Sequence, residues 1–192
     1  MNGERACPRP SWRSLGWRLC LWLTLWPAVL ATAQVAPISV VALSGQQAPG
    51  LPVGVTFGPI DFAFGFGYLN NTGHVSFLAF VEGPGITGAN DRGIWVGRPG
   101  ALSLAAREGN PAPDLPAGVV YGTLNGTPSL SGDGAVAFRA SLAGPGVTWP
   151  DNDDALFGGP AGAVRLAARE GDFAPGPPGT TYGSITAASI NS

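Results

Sequence analysis

From residue 38 onward, apolar residues recur at every second position in short runs that break at glycine, proline, asparagine or aspartate. Val75, Phe77, Ala79 and Val81 form one such run after Gly73, and Val136, Phe138, Ala140 and Leu142 form another after Gly134. The intervening positions vary freely, from His74, Leu78 and Glu82 in the first run to Ala135, Arg139 and Ala143 in the second. Alternate side chains of a strand point to opposite faces, so a two-residue period with one apolar face predicts half-buried β-strands. Ile38, Val40 and Ala42 align in the same way with Leu102, Leu104 and Ala106 and with Val164, Leu166 and Ala168, which predicts a strand in each place. Ile94-Trp95-Val96 and Leu156-Phe157 predict a shorter strand, and 55–66 and 119–124 a leading one. No stretch sustains a 3.6-residue period. The expected fold is all-β, with about four short antiparallel strands in every 60 residues or so, bounded by turn residues.

The turns themselves recur. Residues 105–113 (AAREGNPAP) return as 167–175 (AAREGDFAP), 62 positions later, and an eroded copy (VALSGQQAP) lies at 41–49. Gly83-Pro84-Gly85-Ile86-Thr87 returns as Gly144-Pro145-Gly146-Val147-Thr148, and residues 70–77 (NNTGHVSF) return as 131–138 (SGDGAVAF), each 61 positions on. Self-similarity at this period is the signature of a tandem array, either β-propeller-like blades or a stacked β array. The expected organisation is a signal peptide at 1–33 and a β-repeat region at 34–192. Within that region, 38–45 would be the trailing strand of a preceding copy, 46–109 repeat 1, 110–171 repeat 2 and 172–192 the truncated start of repeat 3. An incomplete array is the resulting expectation, with the 38–43 strand completing the final copy of a full-length ring.

Composition changes the picture at one point. Thirty glycines and nineteen prolines in 192 residues resemble a low-complexity chain, but 45% of the residues are hydrophobic and only 11% charged, and the periodicity places the breakers at turns. At the N-terminus, Arg5, Arg9, Arg13 and Arg18 precede the apolar stretch 19–31, which contains Pro27 and ends in Ala31-Thr32-Ala33. That is the pattern of a cleavable secretory signal, too short for a membrane span, with cleavage expected before Gln34. Beyond residue 33 the chain keeps six arginines, no lysine, no cysteine and eleven acids, a formal charge of −5. No disulfide is possible there, no transmembrane span is expected, and nothing basic remains to make nucleic acid a partner.

At this point the residues resemble a family. Asn70-x-x-Gly73-x-x-Ser76-Phe77 and Ser131-x-x-Gly134-x-x-Ala137-Phe138 are similar to the motif of the NxxGxxAF tandem-repeat, or choice-of-anchor, secreted bacterial proteins, and the Ala-Arg-Glu-Gly stretch is similar to that family's repeat junction. The resemblance covers roughly residues 40–192 and implies export and surface display rather than an activity. Without the family, the motif reads as turn chemistry: Asn or Ser bonds backbone two residues on, and Gly takes the positive φ.

Candidate chemistry is sparse. Without Cys or Lys and with a single His, the mature chain lacks the residues for cysteine nucleophiles, Schiff bases and multi-ligand zinc sites. His74, the one possible base of a Ser-His-Asp triad, follows a turn glycine and is replaced by Ala135 in the next copy, so a solvated turn residue is expected. Glu108 and Glu170 are equivalent carboxylates, each beside an arginine, and an ion pair or a turn residue at a strand end is expected over a glycosidase pair. Asp151, Asp153 and Asp154 form the one acidic cluster. Calcium is its alternative to a solvated turn, but the spacing lacks the twelve-residue loop of the helix-loop-helix calcium site. Asn70-Asn71-Thr72 and Asn125-Gly126-Thr127 fit a glycosylation sequon as letters. The reading therefore assigns no catalytic, cofactor-binding or metal residue and no cofactor. It expects a non-enzymatic, exported surface or extracellular binding or spacer module; it identifies no partner, an extracellular polymer or protein being the class of ligand such a module could take. The alternatives are a fragment of a propeller-type enzyme and a truncated gene remnant.

Overall fold

The alternating runs become two antiparallel meanders. The structure, a computed structural model, describes residues 38–59, 67–186 and 188–191. The expected signal peptide and residues 60–66 of the leading strand lie outside them. The first sheet contains β1 (Thr56–Phe57), β2 (Tyr68–Leu69), β3 (Val75–Glu82), β4 (Arg92–Arg98) and β5 (Ala101–Arg107), in the order β1-β3-β4-β5 with β2 also on β3. The second contains β6 (Val120–Leu130), β7 (Val136–Ala143), β8 (Asp154–Gly159) and β9 (Arg165–Arg169), in the order β6-β7-β8-β9. Every pairing is antiparallel, and no helix occurs among the described residues. The chain is all-β.

Three expectations need correction. Residues 38–43 form no strand, and Ile38, Val40 and Leu43 are exposed. Their counterparts in β5 and β9 pair on β4 and β8, whereas no described strand precedes 38–43 to receive them. The leading strand of the second sheet runs to Leu130, past the expected 124, because β-bulges at Tyr121/Leu124 and Asn125/Ser129 let it stay on β7. In the first sheet the same job is divided: β1 pairs the end of β3 (Phe57↔Val81) and β2 its beginning (Leu69↔Val75).

The strands are also covered more fully than a one-faced period implies. One face of the first sheet buries Phe57, Ala79, Val81 and Trp95 under Ala48, Val55 and the neighbouring turn. Its other face, with Ile94, Val96 and Ala106, packs on Tyr121, Phe138 and Phe157 of the second sheet. Four consecutive residues of β4, 93 to 96, are buried for this reason.

Each sheet holds three rings in nearly the same arrangement. Phe57 meets Trp95 edge-on at 4.8 Å and 73°, and Phe77 stacks on Trp95 at 6.2 Å and 21°. Tyr121 meets Phe157 at 4.9 Å and 73°, and Phe138 stacks on Phe157 at 5.7 Å and 21°. Edge and offset-stacked pairs of this kind are the arrangements the ring quadrupole favours. Trp95 also donates its indole N–H to the Pro49 carbonyl at 2.9 Å.

The larger ring explains a small neighbour. A Cβ at Gly93 would lie 2.6 Å from the Trp95 ring, whereas the corresponding position beside the smaller Phe157 is Ala155, fully buried. Gly93→Ala should therefore destabilise the fold by about 1–3 kcal/mol through overpacking. Adding Trp95→Phe should restore much of that loss, measured by urea unfolding of both single variants and the pair. Additive losses would refute the steric coupling.

Candidate functional site

The turn that ends β5 closes with Gly109, whose N–H donates to the Tyr121 carbonyl at 2.8 Å while Tyr121 returns a bond to the Asn110 carbonyl at 2.9 Å. This doubly bonded turn positions the Arg107-Glu108 pair. Arg107 donates its Nε to the Asn90 carbonyl at 2.8 Å, and Glu108 turns inward, 4% exposed, where Oε1 accepts the Leu124 N–H at 2.9 Å. Glu108 is thus a turn residue at the strand end, one of the two forms expected, but it and Arg107 are bonded elsewhere than to each other: the arginine holds the preceding loop of its own sheet, and the glutamate holds the leading strand of the next. Arg169 and Glu170 repeat the division. Arg169 donates to the Asn152 carbonyl at 2.9 Å, and buried Glu170 accepts from the Ser184 hydroxyl at 3.3 Å.

A cleft of about 420 Å³ opens beside Glu108, lined by Ala89, Arg92, Gly109, Tyr121 and Thr123. Burial pushes the Glu108 carboxyl above its ordinary value of 4.5; the Leu124 N–H and the Arg92 charge oppose this, and the nearby Asp91 carboxylate adds to it. Arg92 also lies over the Phe80 ring, 4.9 Å from its centroid. Burial likewise raises the Tyr121 phenol, with the Asp114 charge adding to the effect. The cleft therefore contains a carboxyl group that resists ionisation and is already bonded to a backbone amide. That wiring ties two sheets together.

The other candidates are placed as follows. His74 is half-buried rather than solvated: Nδ1 lies 3.0 Å from Thr72 Oγ1, and its ring packs against Gly134. The fold brings it to the turn carrying Ser131 and Asp133, yet the bonds are not those of a nucleophile relay. The buried Ser131 hydroxyl donates to Asp133 and lies 3.1 Å from the Ala135 carbonyl, while His74 is occupied by Thr72. The Ser131 hydroxyl, joined by the Ala135 N–H, holds Asp133 below the usual carboxylate range. Within the acidic cluster, Asp154 is forked by Arg139, with Nε to Oδ1 at 3.2 Å, and Asp151 is exposed. Among the described residues no three His, Cys, Asp or Glu side chains come together as a metal site. The Asn70 side-chain nitrogen lies 2.7 Å from the Ser131 carbonyl, so the amide of that sequon is engaged.

Sequence reasoning missed Asp114, which sits at φ 62° and joins two segments 51 residues apart. Its carboxylate accepts the Leu166 N–H at 3.1 Å and pairs with Arg165 at 2.8 Å; these contacts, the amide first, hold it below the ordinary range. The Pro113-Asp114 step in a turn was the available signal, but its partner is a backbone amide that no side-chain pattern reveals.

Fold and site together define an all-β protein of two packed antiparallel sheets. The chain belongs to a family of unknown function (DUF7453), which is matched over residues 27–192. No curated protein and no solved structure matches it.

Glu108 gives this region a pH signature. An acid whose folded pKa is raised contributes stability that is fully present below its unfolded value and is lost as pH rises through the folded value. Glu108→Gln keeps an oxygen for the Leu124 N–H and an N–H toward Asp91, mimicking the protonated acid. The variant should match the wild type near pH 4 and melt at a higher temperature at pH 7–8. Glu108→Leu, which orphans the amide, should cost about 1–3 kcal/mol at both. Asp114 and Asp133, with lowered values, lose their contribution only below about pH 4, so the two windows separate. Thermal melts from pH 4 to 8 make the comparison, and an unchanged pH slope in Glu108→Gln would contradict the assignment.

Proposed function

We propose that this chain is an exported bacterial surface or extracellular module, built from tandem blade-like β units of about 60 residues and acting as a binding or spacer element without a catalytic site of its own. The observation that carries this reading is the recurrence of one ring arrangement, Phe57/Phe77/Trp95 and Tyr121/Phe138/Phe157, at matching distances and angles in the two sheets. The turn bonds support it a third time. Gly45, Gly109 and Gly171 donate to the carbonyls of Phe57, Tyr121 and Tyr182 at 2.7, 2.8 and 2.9 Å, and each of those residues donates to Gln46, Asn110 or Asp172 at 2.9 Å. Repeats that bury their faces on one another suit extended display surfaces. The resemblance of residues 70–77 and 131–138 to NxxGxxAF proteins, together with the Arg-rich, apolar, Ala-x-Ala pattern of residues 1–33, favours export.

The charged groups fit a scaffold. Arg107, Arg169 and Glu108 hold backbone, Glu170 accepts from the Ser184 hydroxyl, and Arg139–Asp154 and Arg165–Asp114 pair with one another. Their engagement with backbone and with one another, within a sheet for Arg107, Arg169 and Arg139–Asp154 and between the two sheets for Glu108, favours architecture over a reaction centre. Among the described residues no helix is long and apolar enough to cross a membrane.

Full-length chain expressed in a bacterial host should be recovered outside the cytoplasm with Gln34 as its first residue, read by N-terminal sequencing. Recovery in the cytoplasm with the first 33 residues intact would refute export. Purified 34–192 should unfold in one cooperative transition by circular dichroism, whereas a gradual loss of signal would refute the packed array. Saturable retention on insoluble cell-wall polymer would identify the binding role, and free passage the spacer role.

A further inference from the structure

The Asn-x-x-Gly turn has two faces, and only one is needed to form the turn. Asn70 Oδ1 accepts the N–H groups of Thr72 at 3.0 Å and His74 at 2.9 Å, while the backbone closes with Asn70 N to the His74 carbonyl at 3.0 Å. Serine closes the equivalent turn in the second sheet, with its Oγ taking one N–H where Asn70 Oδ1 takes two. Ser131 Oγ accepts the Ala135 N–H at 2.9 Å, and Ser131 N donates to the Ala135 carbonyl at 2.9 Å. The local turn therefore requires a side-chain acceptor and not asparagine as such.

What asparagine adds is its amide nitrogen. Asn70 Nδ2 donates to the carbonyls of Ser131 at 2.7 Å and Gly132 at 3.2 Å, the equivalent turn of the other sheet, 61 and 62 residues on. Thr72 Oγ1 lies 3.0 Å from the same Gly132 carbonyl. The His74 ring completes the contact against Gly134, where an added Cβ would come within 3.2 Å of the ring. Nearby, the buried Ser76 hydroxyl donates to the Pro128 carbonyl of β6 at 3.1 Å. The contact is thus a patch of side-chain donors from one turn on the carbonyls of the next, with Asn70 at its centre; the Ser131 carbonyl also takes the Gly134 N–H of its own turn at 3.2 Å.

We infer that Asn70 is a docking residue, which clamps turn 70–73 of the first sheet onto turn 131–134 of the second and so sets the separation of the two sheets at this end. Serine at the same turn position closes the turn but lacks the donor that reaches outward. On this account the choice between Asn and Ser at the head of the turn encodes whether that turn grips a following one. The inference rests on the two described turns and holds whether or not further units follow.

The test uses the mature chain with Asn70→Ser, which retains the acceptor and removes the donor, and Asn70→Asp, which also sets a carboxylate against two carbonyls. Hydrogen exchange by mass spectrometry reads peptides spanning 70–76 and 129–136 separately. Asn70→Ser should leave 70–76 near wild-type protection and speed exchange in 129–136 on the order of threefold to tenfold, the equivalent of one hydrogen bond. Asn70→Asp should speed it further. Unchanged exchange in 129–136 for Asn70→Ser would overturn the inference. Loss of protection confined to 70–76 would also overturn it, because Asn70 would then be only a turn former.

Discussion

Two sets of three rings give this molecule its architecture, because each set draws one side chain from each of three neighbouring strands of a sheet and so ties their register together. In the second sheet Tyr121, Phe138 and Phe157 come from β6, β7 and β8, and in the first Phe57, Phe77 and Trp95 come from β1, β3 and β4. The edge contact and the stacked contact cannot both survive a one-residue slip, since a slip turns a ring to the opposite face. The remaining packing adjusts to them. Gly93 leaves room for the indole, and the opposite face of β4 supplies the aliphatic surface on which the second set of rings lies.

Polar side chains then join what the rings have built. The donors and acceptors at the junction are buried or half-buried and mostly aimed at backbone: Asn70 at two carbonyls, Ser76 at a third and Glu108 at an amide. Such bonds add modest net stability when made and cost more when one partner is removed, so they favour one geometry over neighbouring ones. The raised pKa of Glu108 follows from this placement: its desolvation outweighs the N–H and arginine that favour the charged form. The proposed display or spacer role draws on the same feature, since charged groups tied into junctions favour a rigid array.

Much of the fold was legible before any coordinate. The two-residue periods located β3 and β7 through Val75–Val81 and Val136–Leu142, and the recurring glycines marked the turns. Other features were not. In a strand with a single buried face Leu78 and Ser76 would lie on the solvent side, yet both are covered because another sheet packs there. The strand expected at 38–43 had the right pattern and no pairing partner among the described residues, and β-structure is completed by its partner. At the candidate site, Glu108 and Glu170 were found as equivalent residues, but their inward turn was hidden because their partners are a backbone amide and a serine hydroxyl 14 or 16 residues on.

The sequence alone determined the all-β class, the near-62-residue spacing of its turns, the absence of Cys and Lys beyond residue 33, and which residues are equivalent to which. These follow from periodicity and composition, which are local properties of the chain. Only the tertiary structure decided that Asn70 reaches Ser131, that Glu108 is buried on Leu124 and that Trp95 depends on Gly93. Those are consequences of how two sheets approach one another. A pattern along one strand specifies which face is apolar but carries no information about the backbone groups that the other sheet will present to it.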